Sequence, residues 1–332
     1  MTKFVDMFNE SYDSGAERRW LHGLTVVVPV YNRADLLVRC LDSIRSQSLR
    51  PLRLIVVDNA STDGTLQVAE KWTQRYGTDD FSVSVISENR RGACHARQAG
   101  LNRTETEYVM FFDSDDMMHS DMAMTAFETL QGSKKPDIAA WPVNYNFLDG
   151  ARRQTPGPDG DPLDSHLIHA TLRTVGYAVR TDVLRRAGGW DNDLKVWDDW
   201  ELGVRLLSLT DRVEWVSRPM AEIYSQAESL TGLDFSSRAG VWEEALDRIE
   251  NVLRNSKLPR WRHYLNLVDY RRTVLAAQYS REGREDLAVV LLGRTLNNSR
   301  TLTGWQKCLV RMLYKYTARG HRGAGRIAVR ML

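Results

Sequence analysis

The stretch LTVVVPVYNRADLLVRCLDSI, residues 24–44, changes its hydrophobic period part-way. Leu24 to Val30 is a short, β-branched and unbroken apolar run, which predicts a strand buried on both faces. From Leu36 the apolar residues fall at Leu36, Leu37, Cys40, Leu41 and Ile44, a helical spacing. The exchange then repeats. Leu54–Val57 reads as a strand closed by DNASTDGT, where Ser61, Thr62 or Asp63 can cap a helix through Val68 to Tyr76. Strands over 82–86 and 108–112 follow, with a helix over 93–101 between them. Strands alternating with helices of this length predict an α/β fold, a mostly parallel sheet flanked by helices. Ligands of such sheets bind beyond the carboxyl ends of the strands, where the loops starting at Tyr31, Asp58 and Asp113 lie.

Beyond Leu130 the rhythm changes. Residues 148–164, rich in Pro, Gly and Asp, read as an exposed loop. A strand over 171–179 leads to a short helix over 181–187 that Gly188-Gly189 stops, and a second short helix covers 198–207. From about Phe235 the pattern is helical throughout. The expected segments are an extension over 1–23, an α/β domain over 24–234 and a helical region over 235–332, in line with the roughly two domains that this length suggests.

With 42% hydrophobic and 27% charged residues the chain belongs to the globular class. Its net charge of +2 conceals an uneven distribution: residues 281–332 carry +8 and the preceding 280 carry −6. Three scattered cysteines offer neither a disulfide framework nor a zinc spacing. The N-terminus has no apolar core of a signal peptide, and no run approaches the ~18 apolar residues of a membrane span. A cytoplasmic protein is expected, with any membrane contact peripheral at the inner face of the cell membrane.

Three motifs carry candidate chemistry. YVMFFDSDD, residues 108–116, is an apolar strand ending in three carboxylates, Asp113, Asp115 and Asp116. Like charges this close raise one another's pKa unless a cation intervenes, and a hard divalent ion shared with substrate phosphates would serve. The competing reading is a helix N-terminus capped by Asp115 or Asp116. WDDWELGVR, residues 197–205, places Asp199 near a helix start between indoles, where a desolvated carboxylate can act as general base. Its alternative is a solvated acidic face with Glu201–Arg205 as an i,i+4 pair. NRRGACHARQAG, residues 89–100, offers Arg97 either to a nucleotide or to the surface. GxGxxG and P-loop patterns are absent, against dinucleotide-dependent redox chemistry and P-loop ATPases.

In the order VVVPVYNR, VVDNASTDGT, NRRGACHARQAG, FFDSDD, GGWD and WDDWELGVR, residues 24–230 resemble glycosyltransferase family 2 with its GT-A fold. That resemblance implies an inverting hexosyltransferase using a nucleotide diphosphate sugar, usually a UDP-sugar. It implies that Pro29, Tyr31 and Arg33 pack against the donor base, Asp58 bonds uracil, and Arg97 reaches the base or diphosphate. Asp113-Ser114-Asp115 matches the DXD element, Asp113 facing the ribose and Asp115 holding Mn²⁺ or Mg²⁺, with Asp116 an alternative ligand. Asp199 matches the catalytic base. Gly189, Trp190 and Asp191 match the acceptor side, which Trp197, Asp198 and Trp200 flank; the three indoles offer either sugar-stacking faces or core packing. Many relatives place a metal- or diphosphate-contacting histidine where this chain has Gln226 or Ala227.

The acceptor implied is a glycan or a lipid-linked molecule of surface polysaccharide synthesis. A nucleotidyltransferase acting on sugar phosphates, or a catalytically silent binding subunit, are the alternatives. In the tail, Lys307, Arg311, Lys315 and Arg319 recur at i+4 beside an apolar face of Trp305, Leu309, Met312 and Tyr316. This predicts an amphipathic helix in which residues 300–332 contact an anionic membrane or dock on the catalytic domain. No recognition motif accompanies the charge, so nucleic acid is not an expected partner.

Overall fold

A computed structural model describes residues 20–225 and 234–332. β1 (Leu24–Val30), α1 (Leu37–Arg45), β2 (Leu52–Asp58), α2 (Thr65–Tyr76), β3 (Phe81–Ser87), α3 (Ala93–Arg103) and β4 (Tyr108–Phe111) alternate as the periodicity predicts. Every residue of β1 and β4 is buried because helices cover both faces of the sheet. The pleat divides them. Val26, Val28, Leu54 and Met110 pack with α1 and α2, whereas Val27, Val57 and Phe111 face the side of α3.

After β5 (Met117–Met118) and α4 (Met122–Gln131) come β6 (Ile138–Ala140), β7 (Asn144–Asn146), β8 (Arg152–Gln154) and α5 (Pro162–His169). Then follow β9 (Tyr177–Arg180), α6 (Thr181–Arg186), α7 (Asp198–Leu209), β10 (Val213–Trp215) and β11 (Ala221–Tyr224). The main sheet runs β10-β6-β9-β4-β1-β2-β3, and only β9 is antiparallel to its neighbours. β5, β11, β7 and β8 form a second small sheet.

Two expectations need correction here. Residues 148–164 are not one exposed loop, since they hold β8 and the start of α5. Asp161 caps that helix by accepting from the Leu163 and Asp164 N–H groups, both at 2.9 Å, and Pro162 sits where no N–H is needed. The strand expected over 171–179 shrinks to β9, because Thr174–Gly176 forms a 3₁₀ turn before it.

The remainder is helical as expected: α8 (Ala239–Asn255), α9 (Trp261–Arg281), α10 (Glu285–Asn298), α11 (Gly304–Ala318) and α12 (Ala324–Met331). α9 packs against α8, α10, α11 and α5, and α8 against α7. One apolar cluster runs from Val27 and Phe111 through Trp190 and Trp200 to Trp242, Leu265 and Val310. The core is therefore continuous across the boundary expected near residue 235. Most of the 1–23 extension, together with Gln226 and Ala227, lies outside the described residues. Among the described residues no helix is long and apolar enough to cross a membrane.

Candidate active site

From β1 the chain steps outward to β2 and β3, then returns to the opposite side of β1 as β4. That reversal opens a crevice at the carboxyl ends of the strands. The registers Val30↔Asp58 and Val27↔Phe111 bring three loops to this one edge. Pro29 is buried within β1. The two loops beside it are stapled: the Asn32 N–H donates to Ser61 Oγ at 3.1 Å, Thr62 N–H to Asn32 Oδ1 at 2.8 Å, and Arg33 N–H to Thr65 Oγ1 at 2.9 Å. Tyr31 is exposed at the rim under the Arg91 guanidinium, 4.7 Å from its ring centre. Asp58 is buried; its Oδ2 accepts from the Ser61 N–H at 3.3 Å, while its buried Oδ1 has no partner among the described residues. A buried acceptor with nothing to accept is a place for a ligand N–H.

After β4 the turn Asp113-Ser114-Asp115-Asp116 is held from α1. Arg39 donates to the Asp115 carbonyl at 2.7 Å and the Cys40 thiol to the Asp113 carbonyl at 3.4 Å. Ser114 is buried in the turn. The three carboxylates meet different partners. Asp113 pairs with Arg97 at 2.8 Å, and Asp116, buried, accepts from the Tyr224 N–H at 3.1 Å. Among the described residues Asp115 has only Arg33 as an ion-pair partner, 4.0 Å away. Burial first, and then the neighbouring aspartates, push both Asp115 and Asp116 above the ordinary carboxylate range.

Among the described residues no three His, Cys, Asp or Glu side chains converge to hold a metal by themselves. One carboxylate without a close partner, crowded by two others, suits an ion that takes its remaining ligands from a diphosphate. It does not suit an all-protein cage.

On the other wall, α7 begins with three acids in its first turn, Asp198, Asp199 and Glu201. Glu201 is buried and accepts from Arg205 at 2.8 and 2.7 Å, so the solvated-face alternative does not hold. Arg205 also donates to the carbonyls of Ala187 and Gly189, tying α7 to the turn after α6. Asp198 accepts from Arg97 at 2.6 Å and from the Cys94 thiol at 3.1 Å. Asp199 has no ion-pair partner among the described residues. Burial and the Asp198 charge push it up to about 6, against the pull of Arg173 and Arg97.

α7 itself is locked to α5. The Leu172 N–H donates to His166 Nδ1 at 3.1 Å, which leaves Nε2 protonated to donate to the Trp200 carbonyl at 2.8 Å. Trp200 Nε1 returns a bond to the His166 carbonyl at 3.0 Å. Burial holds this imidazole down to about 4, so it stays neutral. A Cβ at Gly203 would collide with the same ring, so only glycine fits.

Arg97 differs from expectation. It is buried, spans Asp113 and Asp198, and lies over Trp190 at 4.7 Å, so its guanidinium is committed to protein carboxylates. The stacking faces are corrected too. Trp190 and Trp200 are 3% and 1% exposed and offer no surface to a sugar. Trp197 is half-buried, 5.2 Å from Trp200 and 4.8 Å from Trp242 between ring centres. Gly189 adopts φ +67°, and the Trp190 N–H that follows donates to Gln98 Oε1 at 2.8 Å. Asp191 pairs with Arg248 of α8 at 2.5 Å.

Sequence reading missed Tyr145, Arg173 and Tyr177. Burial, then Asp199 and Asp116, raise the Tyr145 phenol while Arg173 lowers it, so this ring senses both acidic walls. The Tyr177 hydroxyl is buried without a partner among the described residues. No motif or spacing distinguishes these residues from ordinary core aromatics and surface cations.

Residues 25–166 match the family model described as glycosyl transferase family 2. The chain carries a glycosyl transferase family 2 domain. It is 30% identical over 128 residues to the glycosyltransferase GlyG of Streptococcus pneumoniae serotype 4, covering 38% of this chain and 41% of that one. It is 27% identical over 176 residues to the glycosyltransferase AglE of Haloferax volcanii, covering 52% of this chain and 57% of that one. The chain thus spans less than two thirds of the length of either relative. Among solved structures, Staphylococcus aureus TarS 1–349 in complex with UDP-GlcNAc superposes with a TM-score of 0.70 at 19% identity, over 93% of this chain and 89% of that one. The fold is GT-A, a mostly parallel α/β sheet followed by helices.

Proposed function

We propose that the protein is an inverting, metal-dependent glycosyltransferase. It moves a sugar from a nucleoside diphosphate sugar, a UDP-sugar, to a hydroxyl of a glycan or lipid-linked acceptor in surface polysaccharide synthesis. The observation that carries this reading is Arg97, whose guanidinium joins Asp113 at 2.8 Å to Asp198 at 2.6 Å. One side chain thereby ties the carboxylate turn after β4 to the helix that bears Asp199.

In this reading Asp58 accepts from the base through its unpartnered oxygen, and Tyr31 and Arg33 border the same loop. Asp115 would hold a Mn²⁺ or Mg²⁺ ion, with Asp113 and Asp116 beside it, and that ion would supply neutralisation of the charge on the departing diphosphate. Asp199 takes the proton from the acceptor hydroxyl as its oxygen bonds to the anomeric carbon. The bond from that carbon to the diphosphate oxygen breaks on the opposite face, so the configuration inverts and a nucleoside diphosphate leaves. Arg97 keeps the two walls in register, and the acceptor enters past Asp191 and the half-buried Trp197.

Support for a nucleotide-sugar donor comes from the fold neighbours. The TarS structure holds UDP-GlcNAc, and the mannosyltransferase PcManGT of Pyrobaculum calidifontis, with a TM-score of 0.57 at 20% identity over 93% of this chain and 83% of that one, holds GDP-Man and Mn²⁺. The test is a panel of nucleotide sugars with and without Mn²⁺ or Mg²⁺, read by thermal stabilisation and by the released nucleotide. Metal-dependent stabilisation by a UDP-sugar and slow release of UDP are expected. Release of inorganic diphosphate would indicate nucleotidyl transfer instead, and indifference to every nucleotide sugar would overturn the reading.

A further inference from the structure

We infer that the outer face of α11, with the outward side chains of α12, is a docking surface for an anionic lipid bilayer. The sequence places Trp305, Leu309, Met312 and Tyr316 on one face, but the fold separates them. Leu309 turns inward with Gln306, Val310 and Leu313, all buried. This inner face is fixed: Thr303 and Gln306 form a capping box, and Gln306 Nε2 donates to the Met331 and Leu332 carbonyls at 3.2 and 3.0 Å. The helix docks on the protein through one side and still has another to offer.

That other side is apolar and cationic together. Trp305, Met312 and Tyr316 are 55%, 60% and 42% exposed, and they alternate with exposed Arg311, Lys315 and Arg319. α12 repeats the pattern with Ile327 and Met331 exposed beside Arg326 and Arg330. Among the described residues, five of the twelve large apolar side chains left exposed lie on α11 and α12, which make up only 23 residues, so the surface is concentrated here. No acid follows Asp286, and no cation from Lys307 onward has a carboxylate within 4.0 Å among the described residues.

The combination selects the partner. Phosphate-bearing headgroups answer the unneutralised cations, and the acyl boundary just beneath them answers the indole, thioether and phenol. A nucleic-acid backbone would satisfy the charges but leave the apolar side chains in water. The inference rests on the proposed transfer only for what the membrane presents, a lipid-linked acceptor; the docking itself rests on the exposed face.

Sedimentation of the full chain with vesicles tests it, without any measurement of turnover. Vesicles of phosphatidylcholine with phosphatidylglycerol are expected to carry the protein down, those of phosphatidylcholine alone are not, and salt should release it. Arg311→Gln with Lys315→Gln is expected to weaken binding at least tenfold, from roughly fivefold per cation. Trp305→Ala with Met312→Ala should weaken it severalfold at fixed salt, with the melting temperature of each variant matching the parent. No sedimentation with anionic vesicles overturns the inference. So does binding that ignores the Trp305 and Met312 changes and is matched by a DNA duplex, which would mark a plain polyanion contact. Because the readout is sedimentation, loss of transferase activity would leave the result standing, and failure to sediment would leave the transfer reaction standing.

Discussion

Two groups of three acids in this protein behave differently in the fold. In the helical region Asp247, Glu250 and Asp269 surround Arg272 at 2.7, 2.6 and 3.3 Å. Glu250 is half-buried, which alone would raise it, yet Arg272 and Arg254 bring it below its ordinary range; the deeper Asp269 stays raised, to about 6. In the crevice, Asp115 and Asp116 are raised by burial and by neighbouring aspartates, and the nearest guanidinium to the Asp115 carboxylate is 4.0 Å away. The first group contains its counter-charge. The second lacks one within 4.0 Å of Asp115 other than Arg33 among the described residues, which suits the proposed cation that arrives with a ligand. What separates a structural acid cluster from a functional one is therefore the supply of cations, not the number of carboxylates.

The largest effect expected from breaking this contrast is at Asp199. Asp199→Asn keeps the shape of the site and removes the proton acceptor, so kcat should fall by about 10²–10⁴ while donor affinity stays within a factor of about two. Unchanged turnover would take Asp199 out of the reaction. In the bundle the same kind of change should cost stability instead. Arg272→Met leaves three carboxylates facing one another, and roughly 3–5 kcal/mol should be lost in denaturant unfolding. A loss under about 1 kcal/mol would mean that water already neutralises that cluster.

A smaller effect, opposite in kind, is expected at Asp115. A ligand at about a hundred times its Kd stabilises by roughly 2.7 kcal/mol, seen as a rise in melting temperature. In Asp115→Ala the rise given by UDP with Mn²⁺ should vanish, while the unliganded protein melts no lower than the parent because a repulsive charge has gone. An undiminished rise would exclude Asp115 as a ligand.

The two groups also differ in how readable they were. The first half of the fold was legible because β1, α1, β2 and α2 each carry one long period, and the carboxylate turn sits at the end of a strand. Legibility failed where elements are two to four residues long, as in β5, β7, β8 and β11, since no period can develop over so few positions. It failed again where a side chain's partner is distant in sequence. Arg97 read as a residue reaching outward, but Asp198 lies 101 residues away and claims it. Trp200 read equally as a sugar platform or a core residue, and its bonds with His166 show that it fastens two helices. Motifs located the acids; only tertiary contacts revealed which of them the chain had already satisfied.

The finest test of the contrast is the acidic limb of the pH profile. A carboxyl raised to about 6 by burial and by Asp198 is protonated below that pH and ionised above it. A base must be ionised to take a proton, so log kcat should rise with unit slope up to about pH 6 and then level. The same shift has the opposite sign for stability. The folded form holds this proton more tightly than the unfolded chain does, so the Asp199 contribution favours folding at low pH and is lost as pH rises through 6. Activity and this share of stability should therefore move in opposite directions between about pH 4 and 6. Asp199→Asn should flatten both, whereas changes around Arg272 should leave the kinetic limb where it was. A limb that persists near pH 6 in Asp199→Asn would assign the titration to another group in the crevice.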